Sequence, residues 1–380
     1  MTKELFKEII KLNEKESGSD IHISADNKIG LRIMGRLKKQ EKYGQMTIED
    51  TIEFFNITQE FLQESAQIFV KKQLEENGHS AFSILVDDTH RFRINAANYK
   101  GGFYIVLRTL TAEPADLDTL GFSDSIFKGL SMIANKKAGL FLVVGPTGSG
   151  KSTTLSAMIK QINQSFEKNI ITLEDPVEYT HTELKSNIIQ KELGRDMSSF
   201  LEGLKAALRE DPDVILIGEI RDAETLGLAL KAAETGHLVF STLHTDNTVS
   251  TIKRITSMTD NEKLTRDRLS SSLLGVIAQR LEPIQPISKE EAMKTGRKER
   301  GARILNYEML TFTGALLNVL KEGGQDQQIA GSLDNTPNSQ SYSQTLINYY
   351  KEGIISEREA LRLATDKKDM QYRLETEKED

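Results

Sequence analysis

Apolar residues at Leu5, Ile9, Ile10 and Leu12 recur at helical spacing and predict a helix over residues 4–13. Two alternating stretches follow, DIHIS at 20–24 and IGLRI at 29–33, and predict strands joined by a turn centred on Asn27. Residues 47–72 read as two helices. Residues 80–86 and 90–96 read as a second strand pair joined at Asp87-Asp88, and Gly101-Gly102 turns the chain into a strand over 103–107. The mixture predicts a small α+β domain.

From Leu140 the pattern changes to short, continuous apolar runs separated by helical stretches: 140–144, 170–173, 214–217 and 238–242. Strands without polar alternation are buried on both faces, so an α/β domain with a mostly parallel sheet covered by helices is expected. The polar, proline-containing stretch 111–116 marks the boundary. The expected division is a first domain over 1–112, a linker over 113–118, a second domain over 119–365 and a charged tail over 366–380, read as a solvated helix or a disordered segment. Residues 283–301 read as an extended loop or a long hairpin connection, and the Ser/Asn/Gly-rich stretch 331–344 as a loop or linker.

Composition narrows the function classes. The chain of 380 residues has no cysteine, which excludes disulfides, thiol catalysis and cysteine-ligated zinc. No run of about 18 apolar residues is present and the start lacks the apolar stretch of a secretory signal, so a cytoplasmic location is expected. A net charge of −7 and 6% aromatic residues argue against nucleic acid as a partner, since phosphate binding needs a local cationic excess.

The sharpest motif is Gly145-Pro146-Thr147-Gly148-Ser149-Gly150-Lys151-Ser152-Thr153, between a predicted buried strand and a helix. Glycines let backbone N–H groups point at phosphate oxygens, and the helix N-terminus adds partial positive charge. Lys151 is expected on the β- and γ-phosphates and the Ser152 hydroxyl on Mg²⁺, so ATP with Mg²⁺ is the expected ligand. The alternative is a glycine-rich turn with a chance lysine. Val214–Ile217 ends in Gly218-Glu219 at a strand terminus, where ligands of open α/β sheets bind. Because Gly218 stands where a generic nucleotidase carries Asp, Glu219 is the expected charge facing the metal. A solvated strand-end acid is the alternative.

Glu174, Asp175 and Glu178 crowd three carboxylates around Pro176, suited to a cation or to deprotonating an attacking water, or simply a charged surface turn. His237 and His244 flank an apolar strand; they are candidates for sensing phosphate, with structural histidines as the alternative, and their spacing is wrong for zinc. Arg91, Arg93 and Arg108 are candidates for a phosphate clamp donated by a neighbouring subunit, or for a salt-bridged strand face.

Together these segments resemble the secretion ATPase superfamily of type II secretion and type IV pili, nearest its PilT/PilU-like retraction branch, from about Ser17 to about Leu320. The resemblance rests on the phosphate loop and on ITLEDPVEYTH at 171–181, REDPDVILIGEIRDAET at 209–225 and AAETGHLVFSTLHTDNT at 232–248. It also rests on Gln279-Arg280-Leu281 and on SGSDIHISADNKIGLRIMGRL at 17–37. It implies a PAS-like first domain, a RecA-like ATPase domain and a homohexameric ring, with Glu178 as catalytic base, Glu219 coordinating Mg²⁺ and His237 and His244 as nucleotide-state sensors. It places Arg91, Arg93 and Arg108 at a domain or subunit boundary. The implied partner is an inner-membrane platform protein, reached from the inner face of the membrane. The 284–301 insertion and the segment ALLNVLKE at 315–322 depart from the branch. The altered 315–322 segment keeps open a regulatory ring subunit that depends on a paralogous ATPase. A DNA-translocating motor is a further alternative.

Overall fold

The computed structural model describes residues 3–33, 35–87, 90–110, 113–285, 303–324 and 326–379. They fold as two compact units. One comprises Met1–Pro114 with Leu173–Thr182 and Gln190–Gly203; the other comprises Ala115–Thr172, Glu183–Ile189 and Leu204–Asp380.

The first unit opens with α1 (Lys3–Lys15), whose Phe6, Ile9, Ile10 and Asn13 are buried at successive turns of one face. Asn13 is polar because it ties the helix to the sheet: its amide donates to the Gly18 carbonyl (2.9 Å) and to Thr109 Oγ1 (3.0 Å). A side chain at Gly18 would collide with it, a Cβ falling 2.1 Å from Asn13 Oδ1. The strands are β1 (Gly18–Ile23), β2 (Gly30–Ile33), β3 (Arg36–Lys39), β4 (His79–Leu85), β5 (Arg91–Tyr99) and β6 (Gly102–Leu110). They form an antiparallel sheet in the order β3-β2-β1-β6-β5-β4. Two helices, α2 (Ile48–Gln59) and α3 (Glu64–Asn77), lie where the 47–72 pattern predicts them. A Thr47–Asp50 capping box starts α2, and Gly78 in the left-handed conformation ends α3. β3 has no counterpart in the sequence reading, because all four of its residues are exposed and it carries no alternation to detect.

The second sheet has seven strands: β7 (Gly139–Val144), β8 (Asn169–Glu174), β9 (Asn187–Glu192), β10 (Val214–Ile217), β11 (Leu238–Leu243), β12 (Leu273–Pro283) and β13 (Arg303–Thr311). Of these, the continuous apolar runs predict β7, β8, β10 and β11. The order is β13-β12-β7-β11-β10-β8-β9. β7 runs parallel to β11 and β12, and β10 parallel to β11, while β13 returns antiparallel beside β12. Every residue of β7, β10 and β11 is buried, and each large apolar side chain so placed contributes about 1.5–3 kcal/mol of burial free energy. Pro283 pairs with Arg303 where β12 and β13 run antiparallel. Most of the 284–301 insertion lies outside the described residues.

The structure refines three sequence expectations. Leu117, inside the expected 113–118 linker, is buried in the core of the second unit, because an apolar side chain there gains more from burial than from staying in a tether. Of the two readings of 331–344, the loop holds up to Ser341, and it is anchored rather than free. Gln340 exchanges backbone hydrogen bonds with Met309, Leu333 is buried, and Ser341 caps α12 (Tyr342–Lys351). Its Ser and Asn content reflects caps and turns, which those side chains stabilise. The charged 366–380 tail takes the helical alternative as α14 (Lys367–Glu379), and its Met370 and Leu374, one turn apart, bury against Leu346 and Ile347.

Candidate functional site

β7 delivers the chain to the phosphate loop at its C-terminal end, beside the end of β11. Gly145, Gly148 and Gly150 all take positive φ (144°, 78° and 91°), and at Gly145 a Cβ would lie 2.3 Å from the Gln279 carbonyl oxygen. A side chain is therefore excluded there on both counts. α5 (Lys151–Ser165) starts directly after Gly150, which has no side chain to cap it, so the first-turn N–H groups are suited to an anion. Lys151 Nζ donates to the carbonyls of Gly145 (2.9 Å) and Pro146 (3.0 Å), arching over its own loop. Ser149 is buried, and its Oγ has no hydrogen-bond partner among the described residues. Such an orphaned hydroxyl fits a site completed by phosphate oxygens. Ser152 and Thr153 follow on the half-buried first turn of α5.

Glu219 stands just past β10, and His244 just past β11. The turn between β10 and Glu219 is stitched to β11 by two buried hydroxyls: Ser241 Oγ donates to the Ile217 carbonyl (2.8 Å) and Thr242 Oγ1 to that of Gly218 (2.5 Å). Polar residues in an otherwise apolar strand are thereby explained. The Glu219 carboxylate accepts from Arg221 Nε (2.8 Å), and His244 Nε2 lies 3.4 Å from it. The parallel register brings the phosphate loop, Glu219 and His244 to one edge of the sheet.

His237 is not on that edge. It precedes β11, its carbonyl accepts the N–H of Gly139 at the start of β7, and its Nδ1 lies 3.0 Å from the Ala232 carbonyl. A six-residue strand separates it from His244, a span of about 20 Å.

The remaining candidates belong to the first unit. The ladders align Arg32, Asp20, Arg108 and Arg93 in one row across β2, β1, β6 and β5, so all four side chains share a face. Asp20 is 4% exposed; its carboxylate accepts from Ser19 Oγ (2.7 Å) and Arg108 Nε (2.8 Å). Burial pushes its acidity toward the neutral form, yet the hydroxyl and the guanidinium together hold it below the usual aspartate value. Arg93 stands directly across from Arg108, a like-charge pair that an anion would relieve.

Arg91 is differently engaged. It is buried, with contacts to Thr180 Oγ1 (3.2 Å), Ser83 Oγ (3.4 Å) and the Glu192 carboxylate (3.5 Å). Burial lowers its pKa and the Glu192 and Glu174 charges oppose that shift, a salt-bridged role. Glu192 also accepts from the N–H of Val177 (3.2 Å), and Gln190 donates to Glu174 (3.1 Å) and the Tyr179 carbonyl (2.8 Å). These contacts brace the acidic segment on both sides of Glu178. Glu178 itself is half-buried, and its carboxylate has no hydrogen-bond or ion-pair partner among the described residues.

Sequence reasoning did not assign a site role to Arg221, Thr154 or Gln279. Gln279 is fully buried on β12, and its amide donates to Thr154 Oγ1 on α5 (2.8 Å). A polar pair at an apolar strand end was the available signal.

A family model described as type II/IV secretion system protein matches residues 1–362. The type IV pilus retraction ATPase PilT of Pseudomonas aeruginosa is 36% identical over 366 residues, covering 93% of this chain and 96% of PilT. A twitching motility protein of Neisseria gonorrhoeae is 40% identical over 306 residues, 80% of this chain and 77% of that protein. The crystal structure of the pilus retraction motor PilT with bound ADP matches with a TM-score of 0.83 at 40% identity, covering 96% of this chain and 98% of that one. No helix among the described residues is long and apolar enough to cross a membrane.

Proposed function

We propose, on the premise that this chain belongs to the type II/IV secretion system protein family, that it is an ATP-hydrolysing motor powering type IV pilus retraction. The observation that carries the proposal is the glycine loop at the end of β7, backed by Gln279 and sharing a sheet edge with Glu219 and His244. Similarity to PilT over nearly the whole chain supports the mechanical output.

Loop amides and Lys151 bind the β- and γ-phosphates of ATP. Ser152 and Glu219 would hold Mg²⁺, which when bound neutralises charge on the phosphate oxygens. Glu178 takes a proton from the attacking water as its oxygen bonds to the γ-phosphorus. The bond from that phosphorus to the bridging oxygen breaks, releasing ADP and phosphate. Unengaged by other side chains, Glu178 suits a base better than Glu174, which is held by Gln190. His244, facing Glu219, reports whether the γ-phosphate is present. Arg93 and Arg108 stabilise charge on the nucleotide of a neighbouring subunit, which implies a head-to-tail homohexamer. The ring acts at the cytoplasmic face of an inner-membrane platform protein.

Turnover of the purified protein beside Lys151→Ala tests the chemistry, and deletion of the gene tests the direction. Abolished hydrolysis in the variant and accumulation of surface pili are expected. Wild-type turnover in Lys151→Ala overturns the site, and loss of pili on deletion overturns retraction.

A further inference from the structure

We propose that Arg280 and Tyr342 are positioning residues for His244, holding its loop through the carbonyl of Asp246. Two donors converge on that oxygen: Tyr342 Oη at 3.1 Å and Arg280 Nη2 at 3.3 Å. The Arg280 guanidinium also lies over the Tyr342 ring, 4.6 Å from its centroid, within cation–π range. Each donor thus fixes the other, and together they can use both lone pairs of one carbonyl two residues beyond His244.

The next residues are pinned in turn. Asn247 caps α8 (Thr248–Ser257) in a reciprocal capping box with Ser250. The N–H of Thr248 donates to the buried Glu308 carboxylate (2.7 Å). The segment 246–248 is therefore held at every residue, and His244 emerges from a fixed anchor rather than a free loop. On the adjacent residue of β12, the Gln279 side chain braces Thr154 of α5, and its backbone carbonyl lies beside Gly145. One dipeptide, Gln279-Arg280, thus meets α5 and the phosphate loop through Gln279 and the His244 loop through the Arg280 side chain.

Tyr342 brings a remote element into this arrangement. It opens α12, whose capping residue Ser341 donates to Asp334, and Asp334 in turn accepts from Arg373 of α14 (2.9 Å). A displacement of the C-terminal helices would therefore reach His244 through the Tyr342 hydroxyl. The tyrosine's burial, which raises its pKa, keeps that hydroxyl a proton donor at every physiological pH.

The inference rests on the reading of His244 as a nucleotide-contacting residue. The test uses the full chain carrying Tyr342→Phe, Arg280→Lys or His244→Ala, and Tyr342→Phe combined with His244→Ala. It reads kcat and KM for ATP and the affinity for fluorescent ADP. Tyr342→Phe keeps the ring under Arg280 and loses only the hydroxyl. It should lower kcat about tenfold, a misplacement effect, while leaving ADP affinity unchanged. Added to His244→Ala, it should lower kcat no further, because residues acting through one another are non-additive. Wild-type kcat in Tyr342→Phe, or the same loss in both backgrounds, overturns the proposal. Wild-type kcat in His244→Ala overturns instead the assignment of His244 on which it rests.

Discussion

The Nε–H of Arg108 donates to Oδ1 of Asp20 across 2.8 Å, and that single buried carboxylate stands between Arg108 and Arg32 in the arginine row of the first sheet. Asp20 engages Arg108 at Nε, and the arginine side chain remains 65% exposed. Asp20→Asn should cost about 1–3 kcal/mol of stability, since it leaves guanidinium groups facing one another over a neutral amide. The aspartate is more acidic folded than unfolded, so its contribution is present above the unfolded value near pH 4 and is lost as pH falls through the folded value. Urea unfolding at pH 7 and pH 3 checks this: the difference between wild type and variant should be large at the first and shrink at the second.

Gly145→Ala should abolish nucleotide binding and destabilise the fold by about 1–3 kcal/mol. The added methyl would sit 2.3 Å from the Gln279 carbonyl, which belongs to a paired strand and cannot withdraw. Fluorescent-ADP titration with a thermal melt reads both effects. Unchanged affinity would mean that the loop adopts another course.

Glu178→Gln should bind ATP and fail to turn it over, because the amide keeps the shape of the carboxylate but accepts no proton. Glu219→Gln should instead show a raised Mg²⁺ requirement. Turnover measured over a Mg²⁺ series separates the two, and normal hydrolysis by Glu178→Gln with none by Glu219→Gln would exchange their roles.

The two histidines should differ. His244→Ala is expected to reduce kcat about tenfold or more, in the range of a lost electrostatic contact at phosphate. His237→Ala should leave nucleotide affinity of the isolated subunit within about twofold, given the strand of about 20 Å between them. Equal losses of affinity would contradict the edge assignment.

His90 links Asp87, at 2.7 Å, to Glu14 of α1, at 3.1 Å. Burial would lower its pKa, but these two carboxylates prevail and raise it. The imidazolium therefore stabilises the folded state fully below the unfolded value of about 6.5, and this contribution disappears as pH rises through the folded value. A His90→Asn variant should have a Tm below wild type at pH 6, with the gap closing toward pH 9.

Local chemistry was legible without coordinates. Glycine spacing, the lysine and the helix that follows specify a phosphate loop by themselves, because its geometry depends on backbone conformations a few residues apart. Continuous apolar runs likewise announced strands buried on both faces. How the tail helix and the 331–344 loop are anchored was not legible: two apolar anchors in a charged helix, or a row of capping side chains, are too sparse a signal for composition to register.

Lateral neighbours were decided by tertiary structure. In the chain, His237 and His244 flank one strand symmetrically, yet strand direction sends them to opposite edges of the sheet. Arg32, Asp20, Arg108 and Arg93 lie on four strands, and only the order β2-β1-β6-β5 makes them one row. Arg91 and Arg93, two residues apart on one strand, part company because Glu192 reaches the first. Short-range sterics and hydrogen bonding write motifs into the sequence; sheet order and register arise from long-range pairing, and they choose which of those motifs meet.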